Sequence, residues 1–313
     1  MNPRKKVCLV LGSGSSRGWA HIGAIEALEE CGIPIDSIVG CSVGSYVGAL
    51  YAAGSLDRLK AFVLKMDGKK VFSYFDVVFP RSGLLNGTKK LKEFISLLTD
   101  ARDFADLDIP VIMVATDLES GDKVVLKSGG LIDALRATMS MPGLFAPARA
   151  KGKWLVDGGL VDPVPVSIAR AMDVDVVIAV DLNSGLCPRR KWHNPVDYTE
   201  KKVEDPPRHK KERINKLAEY YVNAELGVRN KLNELFRKEL STPDIIETVT
   251  TSIAIMQERI TRINLAVDPP DILIQPRLKE LKMMDFDQVE HVIHEGYLAV
   301  REKSEDIKML VEP

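Results

Sequence analysis

Short, continuous apolar runs recur along this chain and constrain its fold more than any other feature. They are KVCLVLG at 6–12, DSIVG at 36–40, IPVIMVATDL at 109–118, VDVVIAVDL at 174–182 and PDILIQP at 270–276. Uninterrupted apolar strands are buried on both faces, which is typical of a parallel sheet covered by helices. Segments with helical spacing lie between them, at 19–33 and 45–54. The alternation predicts an α/β fold with a mainly parallel central sheet flanked by helices.

The second half of the chain is predicted to be largely helical. Short added strands are expected at 121–129 and 152–159, and helices at 210–240, 243–266 and 285–309. We predict one domain over 1–313. Its parts are a core at 5–181, a basic loop and helical insertion at 185–268, and a C-terminal strand and helix at 269–313 that return to the core.

Composition excludes several classes of protein. Apolar residues make up 45% of the 313 residues, which is typical of globular rather than disordered proteins. The net charge of −1, from 43 basic and 44 acidic residues, argues against a nucleic-acid partner. The four cysteines show no C-x-x-C spacing, so we expect free thiols and no metal site. The apolar run at 7–11 is too short for a signal peptide, and no run spans a membrane, which predicts a cytoplasmic protein.

The stretch GCSVG places Ser42 between Gly40 and Gly44, after a predicted strand and before a predicted helix. Glycines that tolerate strained backbone angles permit a sharp strand-to-helix turn there. One interpretation is a tight turn that happens to contain a serine. The other is a nucleophile elbow, in which the serine oxygen is exposed at the helix N-terminus.

The loop after the first strand, LGSGSSRG, offers successive backbone N–H groups to an anion. A dinucleotide-binding loop is one interpretation, but Arg17 stands at the third glycine position and the second strand ends in Gly40 instead of an acidic residue. The alternative is an oxyanion hole formed by the N–H groups of Gly14, Ser15 and Ser16. Loops at the carboxyl ends of adjacent parallel strands lie side by side, so this loop can meet Ser42.

A nucleophilic serine needs a base, and the histidines are poor candidates. His21 lies one turn into the first predicted helix, where a packing or capping role is expected. His291 and His294 lie in a charged C-terminal helix, which indicates a solvated face.

Asp157 in WLVDGG is the better candidate, because Gly158 and Gly159 hold its carboxylate on a constrained turn. A free aspartate has a pKa near ~4, and desolvation would raise that pKa towards the range useful for a base. The alternative is a structural aspartate in an Asp-Gly-Gly turn.

Four ordered motifs together resemble the patatin-like phospholipases of the bacterial single-domain type. They are GSGSSRG at 12–18, GCSVG at 40–44, SMPGLFAP at 140–147 and LVDGGLVDPVP at 155–165. The resemblance covers about 5–181 strongly and 271–300 moderately. It implies a three-layer α/β fold and hydrolysis of acyl esters of lipids, of the phospholipase A or lysophospholipase kind, without metal or cofactor.

The same resemblance implies a Ser–Asp dyad, here Ser42 as nucleophile and Asp157 as general base. It also implies an oxyanion loop of the form Gly-Gly-Gly-x-Arg-Gly, which corresponds here to Ser13–Gly18 and includes Gly14, Ser15, Ser16 and Arg17. Two of the three glycines are serine in this chain, a change that keeps the backbone N–H donors. Arg17 either holds the loop or binds a lipid phosphate.

Other segments leave alternatives open. The aromatic stretch 71–85 is either a mobile cover over the site or a small satellite core. Residues 187–216 hold ten basic and five acidic residues and the aromatic Trp192. This segment is either a peripheral contact with an anionic membrane at the inner surface or a solvated loop. The helices at 210–266 are a candidate homodimer surface. A transacylase with the same acyl-enzyme, or a non-catalytic regulator on this fold, are the rival functions.

Overall fold

The computed structural model describes residues 4–65, 88–185, 245–281 and 285–312. The predicted segments at 71–85 and 187–216 and the helix at 210–240 therefore lie outside the described residues. Contacts divide the chain into two compact units, Met1–Pro188 with Val249–Pro313, and Arg189–Thr248. The fold described below is that of the first unit, and the predicted domain organisation stays a prediction.

The described chain contains eight strands: β1 Val7–Leu11, β2 Ser37–Cys41, β3 Val111–Asp117, β4 Lys123–Leu126, β5 Ala148–Ala150, β6 Lys153–Asp157, β7 Val176–Val180 and β8 Ile272–Ile274. They form one mixed sheet whose hydrogen-bonded pairs follow the path β5-β6-β3-β2-β1-β7-β8, with β4 also paired to β3. On this path β2 and β6 pair with successive stretches of β3. The pairs β1/β2, β1/β7, β2/β3 and β7/β8 are parallel, whereas β3/β4, β3/β6 and β5/β6 are antiparallel. The prediction of a mainly parallel sheet with short added strands is confirmed.

Helices cover both faces of the sheet. They are α1 Ala20–Glu30, α2 Val43–Ala52, α3 Leu56–Leu64, α4 Thr88–Leu98, α5 Leu131–Thr138, α6 Val166–Arg170, α7 Ile245–Val267, α8 Val289–Arg301 and α9 Ser304–Val311. Along β1, Val7, Leu9 and Leu11 belong to a core with α1, α2 and α8, whereas Cys8 and Val10 belong to a second core with α6 and Leu265 of α7. The fold is thus a three-layer α/β sandwich. None of the described helices is both long and apolar enough to cross a membrane.

The central strand β3 explains how the two predicted active-site segments approach each other. On one edge it pairs with β4 along Met113–Thr116. Its other edge is therefore shared by β2, which pairs as far as Val114, and by β6, which pairs from Ala115 onwards. The end of β6 consequently lies directly beyond the end of β2, and Asp157 lies next to Cys41 and the turn that follows it.

The C-terminal region differs from its prediction in one respect. A single helix at 285–309 was expected, but the described residues form α8 and α9, separated by Glu302 and Lys303. Neither residue is a glycine or proline, so the sequence carries no strong stop signal at the break. Strand β8 pairs in parallel with β7, and α8 packs on α1.

Candidate active site

Ser42 occupies the turn between β2 and α2 in a backbone conformation that few non-glycine residues adopt, with φ 55° and ψ −124°. The flanking glycines do not share this conformation, so the sequence-based reason for them, tolerance of unusual backbone angles, is wrong. They are needed because there is no room for a Cβ. A Cβ on Gly40 would lie 2.5 Å from the Cα of Ser45, and one on Gly44 would lie 2.1 Å from the carbonyl oxygen of Leu11.

The Ser42 hydroxyl donates a hydrogen bond to the carboxylate of Asp157, with 2.6 Å between Oγ and Oδ2. The other carboxylate oxygen, Oδ1, accepts the backbone N–H of Gly159 at 2.8 Å. Gly158 also lacks room for a side chain, because a Cβ there would lie 2.3 Å from the carbonyl oxygen of Val114. The structure therefore brings the two predicted residues together, although 115 positions separate them in the sequence.

The electrostatics of Asp157 suit a proton acceptor. The side chain is 1% exposed, and this burial raises the pKa of its carboxyl to about 6, although the hydrogen bonds from Ser42 and Gly159 act in the opposite direction. A base is most effective when its pKa lies near the working pH, because it is then both ionised and basic enough to accept a proton. Asp157 is closer to that condition than a solvated aspartate.

Thr138, at the end of α5, holds the backbone of Ser42. Its Oγ1 accepts the Ser42 N–H at 2.9 Å and donates to the carbonyl oxygen of Val114. The hydroxyl of Thr138 has one proton, which this second bond uses. The contact with Ser45 Oγ, at 3.3 Å, therefore has Ser45 as the donor. The patterns described above predict no helix at 131–138, although its apolar residues at 131, 134 and 135 do show helical spacing.

The predicted oxyanion loop leaves β1 and enters a 3₁₀ turn at Ser15–Trp19. Among the described residues, the backbone N–H groups of Gly14 and Ser15 donate to no protein acceptor. A Cβ on Gly18 would lie 2.1 Å from Cγ2 of Val43, so the loop packs against the first residue of α2. The first N–H groups of a helix have no partner within it, so Val43 N–H is a further donor that the sequence analysis did not include.

Arg17 stabilises the loop from inside the protein. Its backbone N–H and its Nε both donate to the carbonyl oxygen of Gly14, each at 3.2 Å, and its Nη2 donates to Asn183 Oδ1 at 3.4 Å. Asn183 in turn donates to the carbonyl oxygen and hydroxyl of Ser13. Arg17 is 1% exposed, and burial lowers its pKa to about 10. The N–H of Arg17 is thus engaged within the loop, and the contacts favour the structural alternative for its side chain.

The described histidines make no hydrogen bond to Ser42 or Asp157. His21 is buried, its Nε2 bonds the carbonyl oxygen of Gly12 at 2.8 Å, and burial lowers its pKa to about 4. The neutral ring therefore donates that hydrogen bond at neutral pH and acts as a packing residue. His291 and His294 are exposed on α8. The described part of the chain also contains no cluster of potential metal ligands.

The sequence is similar to a known family of proteins along its first half. The sequence profile described as patatin-like phospholipase matches residues 9–170. An uncharacterized NTE family protein of Mycobacterium bovis is 37% identical over 178 residues, which cover 57% of this chain and 49% of that protein. Patatin-like phospholipase domain-containing protein 7 of Rattus norvegicus is 35% identical over 184 residues, or 57% of this chain and 14% of that protein.

The chain therefore spans about half the length of the bacterial relative and a much smaller share of the mammalian one. Among solved structures, VipD from Legionella pneumophila aligns with 97% of this chain and 67% of its own, at 13% identity and a TM-score of 0.47. Because the family profile matches more than half of its residues, this chain belongs to the patatin-like phospholipase family.

Proposed function

We propose that this protein is a serine acyl hydrolase that cleaves acyl esters of lipids, with Ser42 as the nucleophile and Asp157 as the general base. The observation that carries this proposal is the 2.6 Å hydrogen bond from Ser42 Oγ to a buried Asp157 carboxylate, at the N-terminus of α2. Membership of a family described as phospholipases supports a lipid substrate.

In the proposed acylation step, Ser42 Oγ attacks the ester carbonyl carbon while its proton passes to Asp157 Oδ2 along the existing hydrogen bond. The carbonyl oxygen becomes negatively charged. The backbone N–H groups of Gly14, Ser15 and Val43 are available to stabilise this charge. Ser16, the third donor predicted from the sequence, follows Ser15 in the same turn. As the tetrahedral intermediate collapses, the bond to the leaving alcohol breaks and Asp157 returns the proton to the alcohol oxygen.

Deacylation repeats the same proton movements with water in place of the alcohol. Asp157 takes a proton from a water molecule, and the water oxygen attacks the acyl-enzyme carbonyl. Collapse of the second intermediate releases the fatty acid and restores the proton to Ser42. The hydrogen bond from Gly159 N–H to Oδ1 keeps the carboxylate oriented with Oδ2 towards Ser42 during both steps.

The first test is Ser42→Ala, assayed on a neutral short-chain ester and on a panel of phospholipids and lysophospholipids. Loss of the nucleophile is expected to lower kcat by at least about 10³-fold with the fold unchanged. Ser37→Ala is the matched control, because Ser37 begins the strand that ends at Cys41 and lies outside the site. An unaltered rate for Ser42→Ala, with normal rates for the control, rules out the assignment of the nucleophile.

The same assay separates hydrolysis from acyl transfer. Both reactions pass through the acyl-enzyme on Ser42, and they differ only in whether water or another alcohol or thiol accepts the acyl group. We expect release of free fatty acid in the absence of any added acceptor. Product formation that requires an added acceptor would identify a transacylase, and inactivity on every ester would favour a regulatory protein.

A further inference from the structure

Gln257 of α7 places a buried amide beside the turn that contains Asp157. The residue is 2% exposed, and its Oε1 has no partner among the described residues. Thr261, one turn further along α7, is equally buried, and its Oγ1 also lacks a partner. Buried polar groups without a partner destabilise a fold, and an apolar side chain of similar size avoids that cost. Of the two, Gln257 is the residue that also lies against Gly159, so its amide is the one for which an explanation in function is sought.

The polar face of α7 lies along the turn that contains Asp157. Asn264, seven residues after Gln257, donates from Nδ2 to Asp162 Oδ1 at 3.2 Å and approaches the carbonyl oxygen of Val161 at 3.4 Å. Residues at i, i+4 and i+7 share one face of a helix, so Gln257, Thr261 and Asn264 form one polar stripe. Asn264 fixes one end of this stripe to the end of the turn.

Gln257 contacts the beginning of the same turn. Its Nε2 lies 2.3 Å from the position that a Cβ on Gly159 would occupy, and Asp157 Oδ1 lies 3.0 Å from that same position. Nε2 and Oδ1 are therefore at most about 5.3 Å apart, within reach of a single bridging water or, once the side chain shifts, of a direct bond. The contact also explains why the residue two positions after Asp157 is glycine, since any side chain there would displace the amide.

We propose that Gln257 is a positioning residue for the general base, and that its amide donates a hydrogen bond, directly or through one water, to Oδ1 of the ionised Asp157. The inference rests on the proposed function of Asp157. Together with the N–H of Gly159, this donor keeps Oδ2 directed at Ser42. It also favours the ionised carboxylate, which is the form that accepts a proton.

Other titratable groups near this turn are few. Cys41 on β2 is buried and held neutral by that burial and by the charge of Asp157. Asp162 at the end of the turn is paired with Lys123 at 2.9 Å, and Asp117 on β3 is paired with Lys153 on β6 at 2.6 Å. On α5, Arg136 donates to the hydroxyl of Ser140 and to the carbonyl oxygen of Ala146, and Glu258 of α7 acts on the pKa of Asp181. On α7, Asn264 binds the end of the Asp157 turn, whereas the amide of Gln257 lies at its beginning, beside Gly159.

The test uses three variants of the full chain. Gln257→Met keeps the length of the side chain and removes the donor. Gln257→Glu keeps the shape and replaces the donor by a second carboxyl group. Thr261→Val is the matched control, because it removes a buried unpartnered group from the same face of α7, one turn away from the amide. Each variant is measured for unfolding midpoint, for the pH dependence of kcat and KM on a neutral soluble ester, and for the titration of Asp157 by carbon-13 NMR of labelled aspartate.

For Gln257→Met we expect the pKa of Asp157 to rise by about half a unit or more and kcat at neutral pH to fall by about tenfold, with KM unchanged. Gln257→Glu is expected to raise this pKa further, since two neighbouring carboxyl groups share a proton. The unfolding midpoint of Gln257→Met is expected to stay equal or to increase. The unfolding midpoint of Thr261→Val is also expected to stay equal or to increase. In this control the pKa of Asp157 and kcat are expected to remain those of the parent.

An unshifted Asp157 titration in both Gln257 variants overturns the proposal, whatever happens to activity. A fall in kcat that accompanies a fall in unfolding midpoint, without a pKa shift, also overturns it, because packing alone would then explain the effect. The NMR titration does not depend on catalysis. If Ser42→Ala leaves activity intact, the proposed function fails, whereas the hydrogen bond from Gln257 to Asp157 is still decided by the titration.

Discussion

At Ser42, backbone strain and hydrogen bonding oppose each other. A non-glycine residue with φ 55° is strained by about 1–3 kcal/mol. The N–H bond to Thr138 and the Oγ bond to Asp157 fix the residue in this conformation. Strain of this kind persists only where the surrounding structure compensates for it, and it is concentrated at functional sites. The conformation presents the hydroxyl to the carboxylate before any substrate binds.

The first prediction at this scale separates a dyad from a triad. Asp157→Asn is expected to lower kcat by about 10³-fold or more, because an amide accepts a proton very poorly. Replacement of His291 or His294 by Ala is expected to leave kcat within about twofold of the parent, since both are exposed on α8. His21→Ala is expected to cost stability while part of the activity remains. Complete loss of activity in a well-folded histidine variant contradicts the dyad.

The second prediction concerns pH. The base must be ionised, and burial raises the pKa of Asp157 to about 6, so kcat/KM for a neutral ester should fall as pH drops through 6. The rate at pH 5 is expected to be about one tenth of that at pH 7. This fall of kcat/KM at acidic pH must persist when His291 and His294 are both replaced by Ala. A fall centred near pH 4 would show that Asp157 ionises like a solvated aspartate in the working enzyme.

At the scale of elements, α1 and α8 approach each other closely through two glycines. A Cβ on Gly23 would lie 1.9 Å from the carbonyl oxygen of Ile293, and one on Gly296 would lie 1.9 Å from that of Ala20. Both clashes are with backbone, which cannot rotate away. The oxyanion loop leads directly into α1, so this contact also links the C-terminal part of the chain to the helix behind the site.

Gly296→Ala is therefore expected to destabilise the protein by about 1–3 kcal/mol, through overpacking between two helix backbones. In an exposed helix the same change would stabilise by about 1 kcal/mol, so the sign of the effect is informative. Denaturant unfolding measures it, with His294→Ala as a control on the exposed side of α8. A stabilised Gly296→Ala would show that the two helices are further apart than described.

At the scale of the whole molecule, the sheet brings the separate parts of the candidate site together at one end of its parallel strands. The parallel strands β1 and β2 bring the oxyanion loop and the elbow side by side, with Leu11 opposite Gly40. The antiparallel β6 supplies Asp157 from the opposite direction along the same edge of β3. This arrangement places Ser42, Asp157 and the predicted oxyanion loop at the carboxyl ends of the parallel strands, where ligands bind in open α/β sheets.

The prediction at this scale concerns the basic segment 187–216, which lies outside the described residues and carries a net charge of +5. We expect it to strengthen attachment to anionic vesicles, because lysines and arginines near such a surface contribute about 1 kcal/mol each and salt screens them within about 10 Å. Co-sedimentation should weaken as salt rises and when Arg189, Arg190 and Lys191 are neutralised. Hydrolysis of a soluble ester should remain unchanged. Equal binding to neutral and anionic vesicles would contradict this role.

The sequence by itself determined seven of the eight described strands, all but β5, and the positions of the central motifs. Continuous apolar runs predict buried parallel strands, because such strands have no solvent-facing side and need no alternation. Glycines around Ser42 and after Asp157 predict tight turns, because these positions are packed so closely that they leave no room for a side chain. These signals are local, so they are visible in a single sequence.

The tertiary structure alone decided which distant groups surround those motifs. Thr138 binds the N–H of Ser42 from 96 positions away, Asn183 holds the loop at Ser13 from 170 positions away, and Gln257 reaches the turn at Gly159 from another helix. Each is one polar residue in an ordinary stretch of sequence, with no spacing that marks it. Its partner is set by the order of the strands and by the edge of β3 that β2 and β6 share, and long-range pairing of that kind leaves no local pattern.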